Sequence, residues 1–378
     1  MAIKRVVLHL GMPKTGSSSI QHTLFSNFSV LEKNGFRYLT EWDKNHLNKF
    51  GAIFTGKKES KNLLKKLSMT IETSESETLI LSGEYFHTLY RDSTIKNIRE
   101  FIKENFLSKG IETTIVYFVR NPLTWIISWW QQRLYRDGYK NKNCDFFEFA
   151  IKQYEGIFNL KKHFSDSLTI LKFEDACLDR NGLVEYFLMS IGYPRDALKN
   201  LTIIRTNDSR CMEVVEFISY IESVEPRYPF SDYKRENPKK AHKGFKYLKD
   251  IKGVKFDFSY QSKSELWERL KNTINLLKEK TGIDYTDYNP VEANPDQETY
   301  SEETIQGFIE AFPKLSPILQ KLFLKFFEKK YMETAQEKYK KLHFNDSVPY
   351  MTFISKSQFL KFLLWNIKWL FQKFKRNL

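Results

Sequence analysis

Four short runs of apolar and β-branched residues stand out from an otherwise mixed chain: residues 6–10 (VVLHL), 78–81 (TLIL), 113–119 (TTIVYFV) and 168–173 (LTILKF). Each is followed by a turn or a helical pattern. Near-continuous apolar runs of this length suit strands buried on both faces, and the stretches between them can hold the helices that carry the chain back to start the next strand. The pattern predicts an α/β fold, a parallel β-sheet flanked by helices. In open sheets of this kind ligands sit beyond the carboxyl ends of the strands. The first candidate segments are therefore residues 11–19, 82–87, 120–128 and 174–175.

Further along, residues 212–277 become charged and helical, interrupted by the turn-rich stretch 225–238, which predicts a helical insertion or cap over about 212–280. Residues 284–295 are rich in Asp, Asn and Pro, and 302–339 read as helical and basic. The expected organisation is one α/β domain over 1–330 and a basic helical extension over 331–378. Drawn as a helix, the last stretch, 357–378, places Lys361, Lys368, Gln372 and Lys375 on one narrow face. Phe359, Phe362, Leu363, Trp365, Trp369 and Leu370 belong to the broad apolar remainder. That pattern suits an amphipathic helix lying on an anionic membrane surface, and equally a terminal helix packed on the domain or on a partner subunit.

Composition narrows the picture. With 41% hydrophobic and 16% aromatic residues in 378, the chain is neither disordered nor fibrous. A formal net charge of +14 favours an anionic partner. No nucleic-acid motif accompanies the charge, so a nucleic-acid partner is not expected. The three cysteines, Cys144, Cys177 and Cys211, form no Cys-x-x-Cys pair, which suits a reducing compartment. No window approaches the roughly 20 apolar residues of a spanning helix, and residues 6–10 read as a first strand, not a leader. A cytoplasmic protein, peripheral on the inner face of the membrane, is expected. Seven histidines make no His-x-x-x-His pair and no carboxylates cluster, so no metal is expected.

The most informative residues are 11–21 (GMPKTGSSSIQ), where a strand, a glycine-bearing turn and a helix follow one another. Backbone N–H groups at such a helix start cradle an anion. Gly11 and Gly16 are five apart, as in a nucleotide triphosphatase loop, but Ser17 stands where that loop needs lysine. The loop's lysine is Lys14 instead, which weighs against ATP or GTP hydrolysis. Residues Pro13, Lys14, Thr15, Gly16, Ser17 and Ser18 resemble the 5′-phosphosulfate loop of sulfotransferases that use 3′-phosphoadenosine 5′-phosphosulfate (PAPS). His9, Leu10, Gly11 and Gln21 around it resemble the bacterial, carbohydrate-directed branch. The resemblance implies a P-loop-type sheet, PAPS as donor, and Lys14 stabilising charge on the departing phosphate.

A second motif supports the first. Arg120-Asn121-Pro122 ends the third long β-rich run, with Asn121 and Pro122 suited to opening a helix, and Ser128 lies eight residues after Arg120. This resembles the family's 3′-phosphate motif, with Arg120 and Ser128 as the matching positions. Phe173-Glu174-Asp175 and Asn207-Asp208-Ser209 are weaker echoes. Ser19 departs from the tryptophan many cytosolic members carry there, which leaves the adenine platform unassigned.

Sulfuryl transfer needs positioning, charge stabilisation and a base for the acceptor's proton. Glu84, just after residues 78–81, is the first candidate base and His87 the second. His9 and His22 are expected to pack. The expected function is sulfuryl transfer from PAPS to a hydroxyl or amine of a carbohydrate or glycolipid acceptor. The alternatives are another P-loop nucleotide enzyme or kinase, or a non-catalytic binder of an anionic glycan.

Overall fold

A computed structural model describes residues 2–54, 59–84, 89–137, 146–206, 210–224, 247–291 and 300–342. Five strands form one sheet in the order β2-β3-β1-β4-β5. They are β1 (Arg5–His9), β2 (Phe36–Tyr38), β3 (Thr78–Ser82), β4 (Glu112–Val119) and β5 (Leu168–Lys172). Every pairing is parallel, and the central β1 runs beside β3 from Arg5↔Thr78 to His9↔Ser82 and beside β4 from Arg5↔Glu112 to His9↔Val116. Four of the strands lie on the apolar runs read from the sequence. The fifth, β2, has three residues with an arginine in the middle, too few for a periodicity to show.

After β1 come α1 (Ser17–Ser26) and α2 (Phe28–Lys33), then α3 (Leu47–Phe54) and α4 (Ser60–Thr73) between β2 and β3. Helix α5 (Asp92–Asn105) joins β3 to β4, and α6 (Pro122–Asp137) and α7 (Phe146–Phe164) lie between β4 and β5. Then follow α8 (Phe173–Leu178), α9 (Leu183–Ser190), α10 (Met212–Val224), α11 (Tyr260–Thr281), α12 (Glu302–Ala311) and α13 (Pro317–Leu342). The chain leaves β1 for β2 and β3 on one side, then crosses to β4 and β5 on the other. The direction of winding reverses around β1, which makes its carboxyl end the crevice where such sheets bind ligands.

Burial explains the apolar runs. All five residues of β3 and the last five of β4 are buried, as strands covered on both faces must be. On one face Val7, Ile80, Val116 and Phe118 share a core with Ile20 and Leu24 of α1 and Phe187 and Leu188 of α9.

The chain forms two compact units, one of residues 1–130, 144–208 and 258–293, the other of 131–143, 209–257 and 294–378. The first holds the sheet. In the second, Phe217 of α10 meets Phe308 of α12 and Phe323 and Phe326 of α13 in a cluster of rings. The fully buried Glu213 carboxylate there accepts the backbone N–H groups of Val254 and Tyr300. Helix α13 runs through position 330 without a break. No described helix is long and apolar enough to cross a membrane. The turn-rich stretch 225–238 and the amphipathic tail 357–378 lie outside the described residues.

Candidate active site

The site is built at the carboxyl end of β1. Beyond His9 the chain stays beside β4, with Leu10 N–H on the Val116 carbonyl at 3.0 Å, Met12 N–H on Phe118 at 3.1 Å, and Phe118 N–H on Gly11 at 2.8 Å. It then turns sharply: Lys14 has φ 69° and Gly16 φ 73°, both left-handed. Gly16 is the residue before α1, and a Cβ on it would stand 2.1 Å from Leu183 Cδ2. The φ alone calls for glycine here, and a Cβ would in addition push aside the end of the Leu183 side chain. A left-handed lysine costs roughly 1–2 kcal/mol. Such strain persists only where surrounding contacts hold it, and it gathers at functional sites.

Those contacts are present. The Pro13 carbonyl accepts Trp125 Nε1–H at 2.8 Å, and the Lys14 carbonyl accepts Arg120 Nη1–H at 2.8 Å. The Met12 carbonyl accepts the Thr15 hydroxyl and, at 3.5 Å, that of Ser17. In a planar trans peptide the carbonyl and the following N–H point opposite ways. Anchoring these carbonyls therefore points the Lys14 N–H away from Trp125 and the Thr15 N–H away from Arg120. The N–H groups at the start of α1 and the positive end of its dipole face the loop, an arrangement that can hold an anion.

The two motifs, 106 residues apart in the chain, meet through that Arg120–Lys14 bond. Arg120 is itself held: its Nε–H donates to Thr124 Oγ1 at 3.1 Å, its guanidinium lies 5.1 Å from the Phe173 ring, and its carbonyl accepts the Tyr154 hydroxyl at 2.6 Å. Burial lowers its pKa, and Glu174 is the first of the neighbours that raise it again. Glu174 Oε1 accepts Asn121 N–H at 3.0 Å, and its Oε2 lies 2.6 Å from the Tyr285 hydroxyl, which also reaches the Val119 carbonyl at 3.0 Å. The Phe173-Glu174-Asp175 echo is the first turn of α8, and its glutamate fastens the end of β4. Asn121 caps α6, its Oδ1 accepting the N–H groups of Leu123 and Thr124 at 3.0 and 3.3 Å.

Glu84 lies two residues beyond β3. Burial raises the pKa of its carboxyl, and the neighbouring Ser17 side chain and Lys14 charge oppose the rise. Glu84 in turn pushes the buried Tyr117 phenol upward, after burial itself, so the β4 tyrosine belongs to the same neighbourhood. The structure thus brings Lys14, Ser17 and Glu84 together, with Arg120 bonded to the loop. Thr15 is turned into the loop, and Ser18 is half-exposed at the helix start. Ser128 lies on α6, half-buried, its hydroxyl bonded to no described residue. His87 and residues 207–209 lie outside the described residues. Among the described residues no three His, Cys, Asp or Glu could hold a metal ion.

Ser19, where a stacking tryptophan was the family expectation, does other work. Ser19 and Thr23 on α1 and Asn27 at its end, four residues apart in turn, bond the backbone of Thr206, Ile204 and Thr202. This polar ladder fixes the segment that leads to 207–209. The sequence reading did not single out Trp125, Tyr117 or Tyr285 for a role. Tyr117 sits inside the run 113–119 and Trp125 inside the candidate segment 120–128, but the partner of Tyr285 is 111 residues away.

Residues 4–178 match a family model described as a sulfotransferase domain. Over this span, a little under half of the chain, the sequence is similar to sulfotransferase domains. The span takes in the loop, Glu84, Arg120, Ser128 and Glu174. No curated protein matches the chain. Among solved structures, a sulfotransferase domain from the curacin biosynthetic pathway aligns at 12% identity over 52% of this chain and 77% of that one, with a TM-score of 0.33, a likeness too loose to bear on fold or chemistry. A separate cavity of about 660 Å³ opens near Thr113, Lys162 and Ser167, at the amino end of β4 and away from the loop.

Proposed function

We propose that the chain transfers a sulfuryl group from PAPS to a hydroxyl or amine of a carbohydrate or glycolipid. The observation that carries this reading is the meeting of Lys14, Ser17 and Glu84 at the carboxyl end of β1, with Arg120 bonded to the same loop. When bound, PAPS supplies a sulfuryl group on a phosphate leaving group. The chain's residues fit such a donor: the loop offers N–H groups, the Ser18 hydroxyl and the Lys14 ammonium, and Arg120 and Ser128 supply a fork and a hydroxyl for the 3′-phosphate.

In the transfer, a bond forms between the acceptor's oxygen or nitrogen and sulfur while the bond from sulfur to the bridging oxygen breaks. The electron pair stays on the departing phosphate, where Lys14 and the loop N–H groups stabilise it. Glu84 takes the acceptor's proton. Its raised pKa keeps it basic enough to do so, with Ser17 and Lys14 as its neighbours. No step requires a divalent cation. Calorimetric titration with adenosine 3′,5′-bisphosphate and 5′-monophosphate, with and without magnesium, tests the donor site. Tighter bisphosphate binding, indifferent to magnesium, is expected; a preference for magnesium ATP would overturn the reading in favour of a kinase-like enzyme.

We also propose a cytoplasmic protein that meets the anionic inner membrane face through residues 357–378, supported by the lysine and aromatic pattern of that segment and the net charge of +14. Deleting it should abolish sedimentation with anionic vesicles and spare bisphosphate binding; unchanged sedimentation refutes the assignment.

A further inference from the structure

We infer that Ser82 is a positioning residue for Glu84, joining β3 to the loop helix α1 through its hydroxyl and backbone; this rests on the sulfuryl-transfer reading of the site. Ser82 is fully buried and all its polar groups are engaged. Its N–H donates to His46 Nδ1 at 3.0 Å and its carbonyl accepts His46 N–H at 3.0 Å. Its hydroxyl lies 2.7 Å from His9 Nδ1 and accepts Gln21 Nε2–H at 3.2 Å. His46 Nε2, 3.0 Å from the Leu39 carbonyl, must carry the proton, which leaves Nδ1 to accept from Ser82. One neutral tautomer satisfies both contacts.

The hub sits where the site's parts diverge. Glu84 is two residues beyond Ser82, Gly11 is two beyond His9, and Gly83 N–H bonds the His9 carbonyl at 3.0 Å. Helix α1 reaches this strand end twice: Ser17 to Glu84, and Gln21, one turn later, to Ser82. Residues four apart on the helix thus face Ser82 at the end of β3 and Glu84 two residues past it. This pairing sets where the Glu84 carboxyl stands against the helix start and Lys14. Burial holds both His9 and His46 down to about 3, so the rings stay neutral at working pH and the acid limb of a rate profile reports on other groups. The loop's own anchors, Trp125 to Pro13 and Arg120 to Lys14, do not involve Ser82. Removing the hydroxyl should therefore disturb the base and spare the donor cradle.

The test is Ser82→Ala, read as a split between nucleotide affinity and turnover. The Kd for adenosine 3′,5′-bisphosphate should stay within about threefold, while kcat falls roughly 100-fold, the scale of a 1 Å misplacement, and its acid limb shifts. Unchanged kcat, or Kd and kcat failing together, overturns the positioning role. Should Ser82→Ala not fold, Gln21→Met removes one bond to the same hydroxyl and is judged by the same split. Wild-type turnover is the control: its absence counts against sulfuryl transfer and takes the role of Ser82 down with it, whereas full activity in both wild type and variant overturns Ser82 alone.

Discussion

Replacing Glu84 with glutamine should raise stability and abolish most activity, and the two effects have one cause. Burial lifts the Glu84 carboxyl above the ordinary glutamate range even with the Ser17 side chain and the Lys14 charge opposing it. In the folded chain the group therefore binds its proton more tightly than in the unfolded chain. Between the unfolded and folded pKa values the native state holds more protons, so stability falls as pH rises through that window and stays lower above it. Glutamine keeps the shape without the charge, so the variant should melt higher than wild type at neutral pH and equally at pH values below the unfolded pKa. Losing a general base costs about 100-fold to 10,000-fold in rate, and the acid limb of kcat should flatten with it, while bisphosphate affinity is kept. Thermal melts at two pH values, calorimetry and a pH series of kcat read all of this. A variant that melts lower at neutral pH and turns over normally would show that Glu84 is a structural carboxylate.

Gly16→Ala meets both the left-handed φ and the Leu183 side chain 2.1 Å from the new Cβ. It should cost about 2 kcal/mol or more in denaturant unfolding and weaken bisphosphate binding; adding Leu183→Ala relieves the clash but not the φ, so full recovery would refute the backbone argument. Arg120→Ala removes the fork expected at the 3′-phosphate and also the bond to the Lys14 carbonyl. It should weaken the bisphosphate more than the 5′-monophosphate, and Arg120→Lys should not restore the difference, because a point charge cannot replace a fork fixed on two partners. Equal losses for both nucleotides would leave Arg120 only its role in the loop.

The strands and the loop were legible because their signals are local. Parallel strands covered on both faces must read as apolar runs, and a phosphate loop needs its glycines and lysine within a few residues. Arg120-Asn121-Pro122 was legible for the same reason, since cap, proline and strand end are neighbours in the chain. What escaped the sequence is long-range. Nothing near Ser82 marks it as a meeting point of His9, Gln21 and His46, whose separations run from 36 to 73 residues. Glu174 read only as a weak echo of a family motif because Asn121 and Tyr285, which it fastens, lie 53 and 111 positions away. Ser19 looked like a missing adenine platform, and its bond to Thr206 spans 187 residues. The three-residue β2 was too short to carry a pattern.

The central claim is tested most directly by incubating the full chain with sulfur-labelled PAPS and a panel of oligosaccharides, glycolipids and small alcohols, beside Lys14→Ala. Sulfuryl transfer predicts label on at least one acceptor together with release of the bisphosphate without added metal, and a rate roughly 100-fold to 1,000-fold lower in the folded Lys14→Ala variant, the usual loss for one donor to developing charge. Label left on PAPS across the whole panel, or equal rates with and without Lys14, would contradict it.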